Sequence, residues 1–421
     1  MLKHLKSTYL GLPKSVYIIF FVRVVNSMGN FVFPFLTLLL TTKCHMSERE
    51  TGAYLLLAAV VQVPGALIGG RLADKTGRKR TMVLFMGLAA LCYIPCAFLL
   101  DSSTGIQYLP WILIFSSFFF AVSMPSSGAM MNDLTLPENR QAAFSLLYMG
   151  MNIGTAIGSI VAGFMFNKHM KLLFLGDAAT TFISIILLTL FIKETKPSHS
   201  DMEEIAKERV NEKEEKGGLL SALLHRPLLL VFVLIDTVYS FVYAQVNFAL
   251  PLQSKFIFGE KFGASFYGTF NMINCLEVIF FTAIIILLTK RIKAIYNVAM
   301  SGIFFGLGFG MLFFAKSFLL FSISTIVWTI GEIIHATNNG VYIANHTPIS
   351  HRGRFSSVID IISGTGRAVS PYIIGSFIYL YGVTNVWPIM FALSLISAFL
   401  MFILGIVEKR KGNHNSYAEV S

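Results

Sequence analysis

The sequence predicts an all-α membrane protein, with twelve transmembrane helices in two parallel six-helix repeats around a central cavity. Three observations lead there. The chain is 55% hydrophobic and only 13% charged over 421 residues, too little charge to cover a soluble domain of this size. Apolar runs of spanning length recur from Tyr17 to Val407 with short polar connections between them. Each crossing takes about 20 residues for roughly 30 Å of hydrocarbon. The basic residues, finally, concentrate in alternate connections.

The runs place spans at 15–41, 52–70, 81–100, 110–132, 141–166, 172–192, 227–252, 264–289, 295–315, 318–344, 355–380 and 385–407. Pro34, Pro64, Pro95, Pro125 and Pro371 fall inside them, as membrane helices tolerate when neighbouring helices satisfy the freed backbone groups. Lys3, Lys6 and Lys14 precede a full-length first span without a small-residue cleavage site. That pattern predicts a retained span rather than a removable signal peptide. Twelve spans use most of the chain and leave no room for a soluble catalytic domain.

Of the 33 lysines and arginines, 24 lie in the even-numbered connections and the two termini, and 7 lie in the odd-numbered ones. The remaining two, Arg23 and Arg367, sit inside spans. The bias puts both termini in the cytoplasm and requires an even number of spans. The net charge of +11 is thereby read as topology, and nucleic acid is not an expected partner. Mean hydropathy is +0.69.

One connection is long and charged. Residues 194–224 are expected to link an N-terminal six-helix bundle, 1–193, to a C-terminal bundle and short tail, 225–421. Within the linker, Asp201 to Lys216 alternate in charge, which suits either a surface helix or a disordered tether. The halves also repeat. A shift of 212 residues sets Gly128 on Gly340, Thr135 on Thr347 and Arg140 on Arg352. The same shift sets Ser145 on Ser357, Gly154 on Gly366 and Gly163 on Gly375. Such repeats commonly enclose a midplane site and rock about it.

The connection after the second span reads Gly70-Arg71-Leu72-Ala73-Asp74-Lys75-Thr76-Gly77-Arg78-Lys79-Arg80. Gly70 and Gly77 permit a tight turn and close helix approach, and Asp74 is suited to capping a helix or pairing with a basic neighbour. This loop resembles the signature loop of the major facilitator superfamily in position, sidedness and residue pattern. The resemblance implies the major facilitator fold, and a latch by Asp74, Arg71 and Arg78 that stabilises the outward-facing state. The plainer alternative is that the basic residues only set topology.

Within that superfamily the chain is most similar to the twelve-span drug/proton antiporters. The fifth span carries Gly150-Met151-Asn152-Ile153-Gly154-Thr155-Ala156-Ile157-Gly158, which looks like the antiporter motif, with Thr155 in place of its proline and Ser159 in place of its last glycine. The arginine motif of the fourth span is missing. The segments Ala129 to Asp133, running on to Arg140, and Thr329 to Ile333 resemble the LmrP-like multidrug antiporters. That likeness implies proton coupling at Asp133 and Glu332.

Ionisable side chains in spans cost several kcal/mol unless paired or hydrated, so each is a functional candidate. Span one has Arg23, Asn26 and Asn30 at helical spacing, and span seven has Asp236, Tyr239, Tyr243 and Asn247. Span eight offers Asn274 and Glu277; span ten, Glu332, His335 and Asn339; span eleven, Asp360, Ser363 and Arg367. The carboxylates Glu332, Asp133, Asp236, Glu277 and Asp360 are the candidates for proton coupling. Glu332 fits best, being mid-span beside a titratable histidine. The competing reading is a structural ion pair, such as Asp236 or Asp360 with Arg367. The polar and aromatic residues, with Arg23 and Arg367, are candidates for substrate contact.

No Walker loop, nucleophile elbow or zinc-type cluster occurs in the sequence, so an enzyme, a cofactor and a metal are not expected. The expected protein is a monomer in membrane lipid that moves a small molecule with protons. The leading reading is proton-driven export of lipophilic, often cationic compounds. The alternative is a carrier of an anionic or zwitterionic metabolite or peptide, with Arg23 and Arg367 as clamps.

Overall fold

The computed structural model describes residues 11–102, 104–135, 137–196, 226–346 and 352–418. All regular structure there is helical: α1 (Lys14–Met28), α2 (Leu36–Thr42), α3 (Glu48–Thr76), α4 (Arg78–Leu99), α5 (Leu109–Asp133), α6 (Pro137–Met165), α7 (Met170–Phe191), α8 (Pro227–Tyr243), α9 (Ala249–Thr289), α10 (Ala294–Met311), α11 (Phe318–His346), α12 (Arg352–Tyr381) and α13 (Val386–Ala418). Among the described residues, nine helical stretches are long and apolar enough to cross a membrane.

Two expected spans are broken rather than continuous. Span one divides at residues 29–35 into α1 and α2, and span seven divides at 244–248, where a 3₁₀ turn separates α8 from α9. Both breaks have local causes. Pro34 has no N–H to give a helix, and Pro251 sits in the first turn of α9, where its missing N–H leaves no bond unmade. As a consequence Asn30 and Asn247 lie beyond the ends of α1 and α8 and are exposed. The helical faces expected to carry them end one turn earlier. Helix α9 itself is interrupted at Gly259, whose φ of 72° is left-handed backbone that glycine adopts without steric cost.

Helices α1–α7 and residues 250–279 form one compact unit; α8, the remainder of α9 and α10–α13 form the other. In the first unit, Val16, Ile19 and Val22 of α1 pack with Met86, Met130, Met131 and Leu188 in a buried core. In the second, Phe309 stacks on Trp328 at 5.7 Å and on Trp387 at 6.1 Å, with both indoles fully buried.

Glycines set the closest helix approaches. A Cβ at Gly154 would lie 2.7 Å from the Met28 backbone nitrogen, and one at Gly158 would meet the Met28 carbonyl oxygen. The antiporter-like glycines of α6 are therefore the seam against α1. In the second unit a Cβ at Gly366 would strike the Thr237 carbonyl, so α12 meets α8 in the same manner. The Gly154–Gly366 match of the repeat thus marks one packing device used twice.

Candidate functional site

Each unit holds a cavity. In the second unit, Tyr239, Tyr243, Phe305, Glu332, His335 and Arg367 surround about 170 Å³. Helix α11 places Glu332 and His335 three residues apart, so both occupy one face. His335 Nε2 lies 2.7 Å from Asp236 Oδ1. Asn339 Nδ2 donates to the same oxygen at 3.1 Å, and Ser363 Oγ donates to Asp236 Oδ2 at 2.7 Å. Asp236, buried on α8, is therefore tied to α11 and α12 at once. Tyr239 sets its ring edge-on to the imidazole at 5.7 Å.

His335 and Asn339 of span ten and Asp236 of span seven are thus brought together in one hydrogen-bonded network. Arg367 lines the cavity but is not among the partners of Asp236, so an Asp236–Arg367 ion pair is not how this carboxylate is held. The imidazole of His335, one turn from Glu332, is taken up by Asp236. Asp360's side chain lies outside the described residues.

In the first unit, Arg23 and Asn26 of α1 project into a cavity of about 330 Å³ walled by Met82, Met86, Met124, Met151, Phe144 and Tyr148. The Arg23 guanidinium donates to the Met151 sulfur at 3.4 Å. A cation is thereby held among methionines and aromatic rings, which are polarisable and adapt to varied shapes. Gly128 keeps part of this wall open, with nothing within 4 Å of where its Cβ would be. Asn274 and Glu277 lie on the 250–279 segment, which packs with the first unit, and line neither cavity.

The signature loop forms a third cluster. Arg78 pairs with Asp74 one turn earlier and approaches Asp133 of α5 at 3.5 Å. Thr195 Oγ1 donates to Asp133 as well, at 3.3 Å. Asp133 accordingly sits in the loop network and lines neither cavity. Arg71 is exposed, and Gly70 has open space around it. Glu194 accepts from the backbone N–H groups of Arg78 at 2.7 Å, Lys79 at 3.2 Å and Arg80 at 3.4 Å. It caps α4 across the chain, because Gly77 offers no side chain. A Cβ at Gly77 would fall on the Glu194 carboxylate.

Sequence reasoning misses three polar anchors. Glu194 is hidden by its distance from the loop it caps. Gln245 gives no signal as an uncharged residue, yet its Nε2 bonds Ser370 Oγ at 2.5 Å in the span-seven break. Asp177 did carry a signal, being a carboxylate eight residues into an apolar helix. It is 5% exposed and accepts from the Val32 N–H at 3.4 Å.

Charged and polar side chains gathered into cavities within units of spanning helices define a membrane transporter. The family model described as Major Facilitator Superfamily matches residues 19–371, and the chain belongs to that family. It is therefore an integral membrane transporter of twelve spans with the major facilitator fold. It is 24% identical over 405 residues to a Na(+), Li(+), K(+)/H(+) antiporter of Planococcus maritimus, covering 86% of this chain and 92% of that one. It is 31% identical over 190 residues to a class H tetracycline resistance protein of Pasteurella multocida, covering 44% and 45%. Among solved structures it resembles a POT family transporter in complex with a thioalcohol-conjugated peptide. There the TM-score is 0.73 at 14% identity, covering 94% of this chain and 97% of that chain.

Proposed function

We propose that the protein is a proton-coupled secondary transporter that exports lipophilic, often cationic small molecules by alternating access between its two bundles, 1–193 and 225–421. The carrying observation is the Asp236–His335 pair at 2.7 Å, beside the cavity that holds Glu332. A proton gained or lost there changes the charge of a carboxylate that ties α8 to α11 and α12. The packing of three helices then depends on protonation. Glu332, one turn away, offers a carboxylate to a cation, and Tyr239, Tyr243 and Phe305 offer aromatic faces. A cationic substrate and a proton compete for this acid in the reading, which makes their fluxes opposite. The antiporter and drug-resistance names of the relatives point the same way. Both termini lie on the cytoplasmic side, and Asp74, Arg71 and Arg78 of the signature loop act as the latch, supported by the Arg78 contacts with Asp74 and Asp133.

The test uses the full chain in proteoliposomes with an imposed pH gradient and a lipophilic dye cation. Glu332→Gln should lower gradient-driven transport roughly tenfold or more, a loss of at least about 1.4 kcal/mol in the coupled step, while dye binding without a gradient persists. Undiminished coupling in Glu332→Gln and in Asp236→Asn would remove both residues from the mechanism.

A second reading has its own observation. Arg23 faces its cavity with a methionine sulfur as the described partner of its guanidinium, a placement suited to clamping an anionic or zwitterionic metabolite or peptide. Arg23→Ala separates the two: loss of organic-anion transport with dye export intact favours the second.

A further inference from the structure

The break in span one leaves backbone N–H groups without helical partners, and in hydrocarbon each such group costs several kcal/mol unless satisfied. Asp177 of α7 accepts from one of them, the Val32 N–H, at 3.4 Å, while the Phe31 N–H turns to the Gly29 carbonyl. Its carboxylate is in no ion pair among the described residues. The titratable groups around it are few. Helix α4 turns Tyr93 toward it, while Lys171 of its own helix is engaged by Asp101 at 3.2 Å. Arg23 of α1 and Tyr148 of α6 line the methionine-walled cavity. Tyr267, from residues 250–279, meets the break at Pro34 and Phe35.

The break is also seated on its neighbours. A Cβ at Gly29 would overlap Thr180, one turn from Asp177. Beyond it, the Pro34 carbonyl accepts from the Tyr267 hydroxyl at 3.1 Å, and the Phe35 ring meets Tyr267 edge-on at 5.1 Å. The break in span seven is tied differently, by the neutral amide of Gln245 to Ser370. Of these two ties only Asp177 can change its charge.

We propose that Asp177 is a proton-responsive positioning residue: ionised, it holds the unwound segment 29–35, and on protonation it releases that segment and its seat on Tyr267. The chemistry is a single proton transfer. Charge-assisted bonds from N–H to carboxylate are roughly twice as strong as neutral ones, and a proton on the acid converts the former to the latter. The site is separate from Glu332 and Asp236, and it goes beyond the proposed coupling without depending on it.

The test reads conformation rather than transport. The four native cysteines are replaced, Asn30→Cys is labelled with bimane in the exposed break, and the purified full chain in nanodiscs is followed through a pH series. The expected result is a single sigmoidal shift in bimane emission. Asp177→Asn should flatten it, and Asp177→Glu should restore it with a displaced midpoint. A flat profile with Asp177 present overturns the proposal, as does an unchanged transition in Asp177→Asn. Should Asp177→Asn fail to fold, an undisplaced midpoint in Asp177→Glu overturns it equally. Because no substrate is involved, loss of coupling at Glu332 leaves this readout untouched.

Discussion

At Glu194 one carboxylate gathers the N–H groups that open α4, the helix whose N-cap is a glycine. Partial burial raises its pKa, but the backbone N–H groups of Lys79, Lys196, Arg78 and Arg80 outweigh that and hold it below the ordinary carboxylate value. A lowered folded-state pKa means the stabilisation is present above the unfolded-state pKa and is lost as pH falls through the folded one. Glu194→Ala should therefore destabilise the protein by about 1 kcal/mol, the usual worth of a helix N-cap, seen as a lower Tm in detergent at neutral pH. The gap between the natural protein and Glu194→Gln should narrow as the carboxylate range is entered from above. A gap that widens on acidification would contradict the assigned role. The i, i+4 pair of Asp74 and Arg78 is legible in the loop itself, whereas Glu194 could be matched to that loop only once the chain had folded.

Between helices, the same glycine spacing has two different meanings. Gly154 and Gly366 lie where a side chain would enter the backbone of α1 or α8, while Gly128 and Gly340 have open space around them. Gly154→Val and Gly366→Val are expected to cost about 1–3 kcal/mol or more through overpacking. Gly128→Ala and Gly340→Ala should fold normally. Thermal unfolding of the four variants checks this, and equal tolerance of all four would show that the seams are not close-packed. The 212-residue repeat found these pairs but could not sort them, because spacing records where glycine recurs and not what lies opposite. Helix breaks have the same limit. Pro34 was visible and Pro251 was not singled out, yet whether a proline bends a helix or ends it depends on the side chains that take up the freed backbone, here Asp177 and Gln245.

For the molecule as a whole, the long linker offers a direct test of the tether reading. Replacing residues 201–216 with Gly and Ser at equal length should leave transport within about twofold, since a flexible tether of unchanged length keeps its reach. The substitution spares Glu194 to Lys196, which belong to the loop network. Transport assayed in vesicles checks the outcome, and its loss would make 201–216 a working part of the mechanism.

The signature loop carried the resemblance to the family, while hydrophobic run length and the placement of basic residues were enough by themselves for the class. The bilayer imposes those patterns on any chain that crosses it, so they are local and additive. Tertiary structure alone decided the partners. It gave Asp236 to His335 instead of Arg367, moved Asp133 into the loop network, and set Asp177 against the break of a helix about 145 residues earlier. A charge buried in hydrocarbon announces that it needs a partner, but the identity of that partner depends on which helices pack together.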